Sequence, residues 1–183
     1  KSARFRATAL REGGDNASYS REFAFSKSTG RPAVLNTKPN DSYTFEGASL
    51  LVDGYHSRPV FTSGAWLGYL DEPLDVTIDM GGEQSYRSVE LETLAEKGDW
   101  IFPPSSVTVW VSDNGTDFTE VASVAVPEAK AGDADGIGRY RMQFPETSAR
   151  YLKVVAQNAA AIPAWHPGAG SKGFLFVDEV VVE

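Results

Sequence analysis

The sequence predicts an antiparallel β-sandwich of two sheets, and three observations favour this fold class. Apolar and polar residues alternate over residues 74–80, which places the apolar side chains on one face of a strand and the acids in water. Further strand-like segments follow at fairly even spacing, separated by turns that contain Gly, Asn and Asp. No segment carries a long helical stripe of apolar residues. Many short strands with turns between them are typical of a sandwich or a barrel.

Seven segments from residue 74 onward are predicted to be strands. They are residues 74–80, 86–93, 107–112, 118–126, 139–144, 151–157 and 174–182. Residues 90–97 could instead form a short helix, because Leu91, Leu94 and Ala95 would share one face. A strand that ends near Thr93 is preferred, since the period-2 alternation continues through Leu91.

The first 48 residues differ from the rest of the chain. Residues 3–10 and 19–25 alternate like two strands joined by a polar turn at residues 11–16. Residues 26–48 are rich in Ser, Thr, Pro, Gly and Asn and contain few core candidates. Such a composition indicates either a linker or an extended wrap over a sheet.

Composition narrows the classes of function. The chain has 183 residues, of which 42% are hydrophobic, enough for one domain with a substantial core, whereas two full domains would be cramped. Its formal net charge of -8 repels phosphate backbones and anionic headgroups, so neither nucleic acid nor a membrane is the expected partner. The sequence contains no cysteine, which excludes disulfides, thiol chemistry and thiolate metal sites.

Four motifs in order resemble the coagulation factor 5/8 type C, or discoidin, domain. They are L-V-D-G at 51–54 with Trp66 and I-D-M-G at 78–81, V-T-V-W-V-S-D-N-G at 107–115, A-R-Y-L-K-V at 149–154, and V-D-E-V at 177–180. The resemblance implies an all-β, two-sheet antiparallel, jelly-roll-like sandwich of the galactose-binding-like kind over residues 26–183. Many members, the family 32 carbohydrate-binding modules among them, bind sugars through loops at one end. Others bind phospholipid headgroups or pack against a neighbouring domain, and the fold alone does not choose between these.

A narrower resemblance points to one kind of parent protein. The stretches G-D-W-I-F-P-P at 98–104 and P-A-W-H-P-G-A-G at 163–170 are similar to the version at the C-terminus of bacterial family 20 glycoside hydrolases, the β-N-acetylhexosaminidases. A small Ig-like domain often precedes that version. Residues 1–25 would then be the tail hairpin of such a domain or an N-terminal extension. The resemblance also implies an extracytoplasmic location, in the periplasm or at the cell surface.

The family resemblance further implies a bound hard cation, usually Ca²⁺. Carried over residue by residue, its carboxylate ligands would be Asp53 and Glu179, and carboxylates with carbonyls suit such an ion. The remaining oxygen ligands would come from Leu50, Tyr55, Ser57 and Asp178. Relatives often have a hydroxyl residue where Arg58 stands, and here Ser57 lies one position earlier. The alternative is that Asp53 caps a turn and Glu179 pairs with Arg58 or Lys153.

Three loops combine the side chains that recognise sugars, namely an aromatic ring for the pyranose face and polar groups for the hydroxyls. The candidate carbohydrate-binding residues are Tyr55, His56, Arg58, Asp99, Trp100, Trp165, His166 and Lys172. Trp100 and Trp165 lie outside any alternating pattern, beside Pro or Gly. The alternative is that the Trp165 loop plugs the end of the sandwich or docks on the parent enzyme. Trp66 matches a family core position and is predicted to be buried.

The predicted function is that of a non-catalytic accessory module of a secreted glycoside hydrolase, with glycan as the ligand of these loops. Catalysis is not expected, because no acid pair, such as Asp71 with Glu72, stands in an enclosed site. The alternative is a structural role, in which the module braces other domains of the parent enzyme and binds no ligand. Adhesion to protein or to lipid headgroups is a third class.

Overall fold

The computed structural model describes residues 2–9 and 17–183 and shows a mostly β protein, with 49% strand and 9% helix. The strands are β1 Ser2–Ala9, β2 Ala17–Ala24, β3 Ala33–Leu35, β4 Leu67–Tyr69, β5 Leu74–Ala95, β6 Ser106–Ser112, β7 Thr119–Ala125, β8 Gly136–Gln157 and β9 Leu175–Val182. Short 3-10 helices lie at Asp41–Tyr43, Gly47–Val52, Phe61–Ser63 and Lys97–Asp99. The predicted fold class, an antiparallel sandwich, is confirmed.

Two long, bent strands build the sandwich. The hydrogen-bonded order is β4-β9-β5-β8-β6-β7, with β3 beside β5, and each pairing within the sandwich strands is antiparallel. The first part of β5 pairs with the last part of β8, whereas residues 88–95 of β5 pair with residues 136–143 of β8 and with β9. The sequence predicted separate strands at 74–80 and 86–93 and at 139–144 and 151–157. In the structure each pair is one continuous strand, because the chain bends there without losing its partner.

The bend in β5 has a local cause. Its register shifts between Asp79 and Gln84, where Gly81 has a φ of 79° that an L side chain rarely adopts. The Gly81 N–H donates to Asp79 Oδ1 at 2.9 Å. Arg150 of β8 donates to both carboxylate oxygens of Asp79, at 3.0 and 2.8 Å. These bonds tie the bend to the neighbouring strand.

The Asp79 carboxylate provides a pH-dependent test of this bend. The hydrogen bond from Arg150, with that from Gly81, lowers the pKa of Asp79 to about 2. A carboxyl group whose pKa is lower in the folded than in the unfolded chain stabilises the fold fully at pH values above its unfolded pKa of about 3.9. This stabilisation is lost as the pH falls through the pKa of the folded state. We expect Asp79→Asn to cost about 0.5 kcal/mol at pH 7, because the pair is largely exposed, and nothing near pH 1.5. Urea unfolding of both proteins at the two pH values measures this, with Glu83→Gln as an exposed control. An equal loss at both pH values would contradict the electrostatic explanation.

Apolar residues form two packed clusters. The larger contains side chains from both halves of the long strands, such as Val76 and Ile78 with Val89 and Leu91. The smaller consists of Trp66, Leu94, Ile101 and Phe176, with partly buried aromatic rings around it. Trp66 is fully buried, so its predicted place in the core is confirmed.

The N-terminal segment has two parts. Strands β1 and β2 pair with each other as a separate two-stranded sheet, and the predicted turn at 11–16 lies outside the described residues. Residues 26–48 are an extended wrap rather than a linker, since the buried Ser28 hydroxyl donates to the Val180 carbonyl at 2.6 Å and Lys27 N–H to the Val182 carbonyl at 2.9 Å. Within the described parts of the chain, no helix is long and apolar enough to cross a membrane.

Candidate functional site

Four aromatic side chains form one group at the end of the sandwich, which we call the aromatic end. His166 is its centre, and its ring lies 5.5 Å from those of Phe102 and Trp165 and 6.2 Å from that of Trp100. His166 and Phe102 are buried, whereas Trp100 and Trp165 remain 43% and 40% exposed. The structure therefore brings two half-exposed indoles into contact with one buried imidazole.

His166 holds loops together rather than offering its nitrogens to a ligand. The Gly168 N–H donates to Nδ1 at 3.0 Å, so Nδ1 is an acceptor. Nε2 lies 2.9 Å from the Lys97 carbonyl and must be the donor there. Both nitrogens of a neutral imidazole are thereby used. His166 was expected to bind a sugar hydroxyl, but neither of its ring nitrogens is free in this arrangement. The residue positions the indoles instead.

Trp100 adopts a conformation that bulky residues rarely take. Its φ is 64°, in the left-handed region, directly after the 3-10 helix Lys97–Asp99 that ends in the exposed Asp99. Gly168 lies against the indole, since a Cβ there would be 2.8 Å from a Trp100 ring carbon. A strained backbone at an exposed aromatic residue supports the hypothesis of a functional role.

The indole N–H of Trp165 anchors this side chain to a neighbouring loop. Its Nε1–H donates to the Ala129 carbonyl at 2.9 Å, which links the loop after β7 to the loop before β9. Because that N–H is occupied, the exposed part of Trp165 is the apolar ring surface. Such a surface can contact the C–H groups of a pyranose but cannot donate a hydrogen bond through its nitrogen.

The other predicted sugar contacts lie elsewhere. Tyr55 packs near Phe23 of β2, with ring centroids 5.9 Å apart, and the Arg58 carbonyl accepts a hydrogen bond from Trp66 Nε1 at 3.0 Å. The exposed Lys172 lies 2.6 Å from Asp71. His56 lies against Glu92. Of the eight candidates, the structure brings Trp100, Trp165 and His166 together, with the exposed Asp99 directly before Trp100.

A β-bulge in β9 places buried carboxylates next to the loop at residues 53–58. Leu91 pairs with Val180 but Thr93 pairs with Val177, so β9 has one extra residue and two acids, Asp178 and Glu179, lie opposite Glu92. All three carboxylates are buried. A bulge redirects side chains, which explains how two successive residues can both point into the protein.

Basic groups neutralise one of these acids. Glu92 pairs with Arg139, and its Oε2 lies 2.9 Å from His56 Nδ1. Burial opposes ionisation, but His56 and Arg139 outweigh it and lower the pKa of Glu92. Contact with Glu92, partly opposed by burial, raises the pKa of His56. His56, predicted as a sugar ligand, is therefore paired with the buried Glu92 carboxylate.

The two acids of the bulge have other surroundings. Ser57 donates to Asp178 through its N–H at 2.7 Å and its hydroxyl at 3.1 Å, yet burial raises the pKa of Asp178 to about 7. Both Glu179 oxygens accept from the Gly54 N–H at 3.2 Å. Burial, together with the charges of Asp53 and Asp178, raises the pKa of Glu179 to about 10.

This arrangement fits a hard cation in part. Asp53 caps a turn, since its Oδ1 accepts from the Tyr55 N–H at 2.6 Å, as the alternative reading of the sequence had it. Neither Arg58 nor Lys153 forms an ion pair with Glu179 among the described residues. No group of three or more His, Cys, Asp or Glu side chains in residues 2–9 and 17–183 is arranged to hold a metal ion. A cation at Asp53 and Glu179 would therefore depend on backbone oxygens.

The comparison with known families decides what the domain is. A family model described as the F5/8 type C domain matches residues 35–172, well over half of the chain. The chain belongs to the F5/8 type C domain family. No curated protein matches the sequence.

Solved structures similar to this F5/8 type C domain show the same fold. A carbohydrate-binding module of Clostridium perfringens, CpGH89CBM32-5, aligns with a TM-score of 0.57 and 16% identity over 86% of this chain and 99% of its own. Chitosan-binding module 1 of a Paenibacillus chitosanase/glucanase aligns at 0.55 and 17%, over 87% and 98% of the two chains. A Streptococcus pneumoniae fucose-binding module aligns at 0.52 and 22%, over 87% and 94%. At these identities the likeness establishes the fold alone.

Sequence reasoning missed several residues of the two sites. Glu92 lies in the alternating segment 86–93, opposite in phase to Leu91, where an acid is expected to face water, and only the bulge in the partner strand shows why it is buried. Phe102 and Lys97 gave no pattern that could place them beside His166. In the sequence, Gly168 was the one residue that could have indicated the contact with Trp100, because a glycine lets an indole pack closely against the backbone.

Proposed function

We propose that this domain is a non-catalytic carbohydrate-binding accessory module of a secreted glycoside hydrolase, and that it binds glycan at the aromatic end. One observation carries the proposal, which is the pair of half-exposed indoles, Trp100 and Trp165, whose rings both lie against the ring of buried His166. An indole surface that the protein leaves half in water can cover the apolar face of a pyranose. Asp99 is exposed beside Trp100 and can accept hydrogen bonds from sugar hydroxyls.

Preorganisation supports this assignment. Trp100 is held by its backbone conformation and by Gly168, and Trp165 by its hydrogen bond to Ala129. Side chains already ordered in the free protein lose little entropy on binding, so a small contact area can suffice. The similar structures are also consistent with the proposal, since one is a complex with GalNAc-β-1,3-galactose and the others are a chitosan-binding and a fucose-binding module.

The parent protein belongs to the same proposal. The resemblance of residues 98–104 and 163–170 to family 20 glycoside hydrolases supports a β-N-acetylhexosaminidase as parent, with an extracytoplasmic location. The separate sheet formed by β1 and β2 is consistent with residues 1–25 as the tail of a preceding Ig-like domain. If the module only braced its parent, the same indoles would be buried against a neighbouring domain. The net charge of -8 favours neutral glycan over nucleic acid or an anionic membrane.

Replacing Trp165 with alanine separates glycan binding from a structural role. We expect Trp165→Ala to weaken glycan binding about tenfold or more, as loss of a central aromatic contact does. The free energy of unfolding should fall by only about 1 to 2 kcal/mol, because the ring is partly exposed and loses one hydrogen bond. A glycan array followed by calorimetry measures affinity, and urea unfolding measures stability.

The matched control is Trp110→Ala, which removes a partly exposed indole on β6, away from the aromatic end. Its glycan affinity should equal that of the unchanged domain. If Trp165→Ala instead loses several kcal/mol and binds glycan normally, Trp165 is a plug of the sandwich end and the assigned surface is wrong.

For the carboxylates behind residues 53–58 we propose a structural Ca²⁺. Its ligands would be the Asp53 and Glu179 carboxylates with oxygens of Leu50, Tyr55, Ser57 and Asp178. The burial of Glu179 next to the carboxylates of Asp53 and Asp178 supports this, because a bound cation would favour the ionised form of a carboxyl whose pKa burial raises. When bound, the ion would join the loop to β9.

A further inference from the structure

An apolar cleft lies beside Trp165 and has no role in the sites described so far. Three chain segments line it, residues 102–105, 126–129 and 159–164, and its volume is about 400 Å³. That size falls in the range of small-ligand pockets. We call it the alanine cleft, because its lining includes Ala129 and the run Ala159–Ala161, together with Ile162 and prolines.

The walls of the alanine cleft are tied together by backbone hydrogen bonds. The Val126 N–H donates to the Ser105 carbonyl at 2.9 Å, and the Ser105 N–H donates to the Gln157 carbonyl at 2.8 Å. Ile162 exchanges hydrogen bonds with Ser171 and Gly170 at 2.8 and 2.9 Å. The cleft is therefore built into the loops and does not need to form when a ligand arrives.

The polar groups at the cleft are few and largely engaged. The Ser105 hydroxyl donates to the Asn158 carbonyl at 2.9 Å, and the Ala129 carbonyl accepts from Trp165. Among the residues that the structure describes, Glu128 has the one charged side chain that lines the cleft, and this side chain is exposed. What the cleft offers a ligand is an apolar floor with a single acceptor at its edge.

We propose that the alanine cleft receives the acyl group of an N-acetylated hexosamine whose ring lies on Trp165. This inference rests on the proposed carbohydrate binding and names its ligand class. The acetyl methyl would contact the alanine and proline side chains. Trp165 follows Ala164 of the lining and donates to the Ala129 carbonyl, so the indole borders the cleft. A hexosamine on the exposed ring surface would then extend its C2 substituent toward the cleft. The Glu128 carboxylate at the rim can accept the hydrogen bond of the amide N–H.

The lining argues against other substituents. An unacetylated amine is a strongly hydrated ammonium, and burying it among alanines would cost free energy that one exposed carboxylate does not return. A sulfated or uronic sugar would bring a negative charge toward Glu128. A plain hexose would leave the apolar floor in contact with water.

Ligand series that differ only at C2 test the inference. We would titrate the 183-residue chain with the methyl β-glycosides of N-acetylglucosamine and N-acetylgalactosamine, each beside its deacetylated amine and its parent hexose. At least one acetylated sugar should bind about tenfold or more tightly than its two partners, as burial of a small apolar group in a pocket allows. NMR should show contacts between the acetyl methyl and the methyl groups of Ala159–Ala161.

Two variants locate the effect. Ala160→Phe and Ala161→Phe fill the cleft at exposed positions, and each should reduce the affinity for the acetylated sugar to that for the parent hexose. Ala131→Phe, an exposed position outside the lining, is the matched control and should change nothing. The NMR contacts of the unmodified chain provide the same information if either filled variant does not fold.

The outcomes distinguish the inference from the proposed function. Equal binding of acetylated and parent sugars, or loss of both in the filled variants, overturns the acyl assignment and leaves carbohydrate binding in place. If none of the six sugars binds but the glycan array gives another ligand, the acyl assignment alone fails. If the array gives no ligand either, carbohydrate binding at the aromatic end fails with it.

Discussion

Trp66→Ala is expected to lower the free energy of unfolding by about 3 to 5 kcal/mol, the cost of removing a fully buried indole. Trp66 packs with Leu94, Ile101 and Phe176 in the smaller apolar cluster. Its Nε1–H also donates to the Arg58 carbonyl at 3.0 Å, so the change leaves a cavity and removes the hydrogen-bond donor that holds the loop at residues 53–58. Urea or thermal unfolding measures the loss.

Trp66→Phe separates the two contributions. It keeps most of the ring volume and removes the N–H, and we expect a loss of about 1 to 3 kcal/mol. Trp165→Ala is the control for indole removal at a partly exposed position, where the loss should be clearly smaller. Equal losses for Trp66→Ala and Trp165→Ala would contradict the division between core and surface tryptophans.

Removal of Ca²⁺ is expected to lower the melting temperature, and its return should restore the original value. An ion that binds only the folded state adds about 2.7 kcal/mol when its free concentration is about a hundred times Kd. The physical reason is that an ion bound to the buried Glu179 carboxylate would join the loop at residues 53–58 to β9 in the folded state only. Scanning calorimetry at pH 7 with a chelator, then with added Ca²⁺ or Mg²⁺, measures the shift and the choice of ion.

Glu179→Gln tests the same site without a chelator. The amide cannot ionise and so cannot supply a charged oxygen ligand, and the melting temperature of the variant should no longer respond to Ca²⁺. Glu83→Gln, an exposed acid on β5, is the matched control and should keep the full response. If the unmodified chain shows no shift with chelator and none with Ca²⁺, the proposed cation site is wrong.

The strands show which structural features a local sequence pattern can predict. Alternation placed Val76, Ile78 and Leu152 inside, and the structure buries all three. The glycines at 81–82 and the proline at 145 were read as turns that end strands. They accompany bends instead, because a turn signal describes only the local backbone. Whether the chain reverses or continues depends on a partner strand about seventy residues away, as in the pair Asp79 and Tyr151.

The candidate site shows the same limit. Trp100 and Trp165 were recognisable because a loop indole outside an alternating pattern normally packs against a ligand or another part of the protein. His166 directly follows Trp165. His56 and Lys172 have the same residue types as sugar ligands, yet one pairs with buried Glu92 and the other with exposed Asp71. Residue type and spacing do not indicate which acid a base will meet, since that depends on the bulge in β9 and on how the loops cross.

The sequence by itself determined the all-β class, because alternation is a property of neighbouring residues. It also determined the family and the burial of Trp66, because the order of the motifs can be read along the chain. Only the tertiary structure decided which loops form one surface. His166 meets Lys97 across 69 positions, and Trp165 meets Ala129 across 36. Such contacts depend on strand order and on the bends of β5 and β8, which determine where each loop leaves the sandwich. The alanine cleft arises in the same way, from three segments that share no pattern and lie together only in the fold.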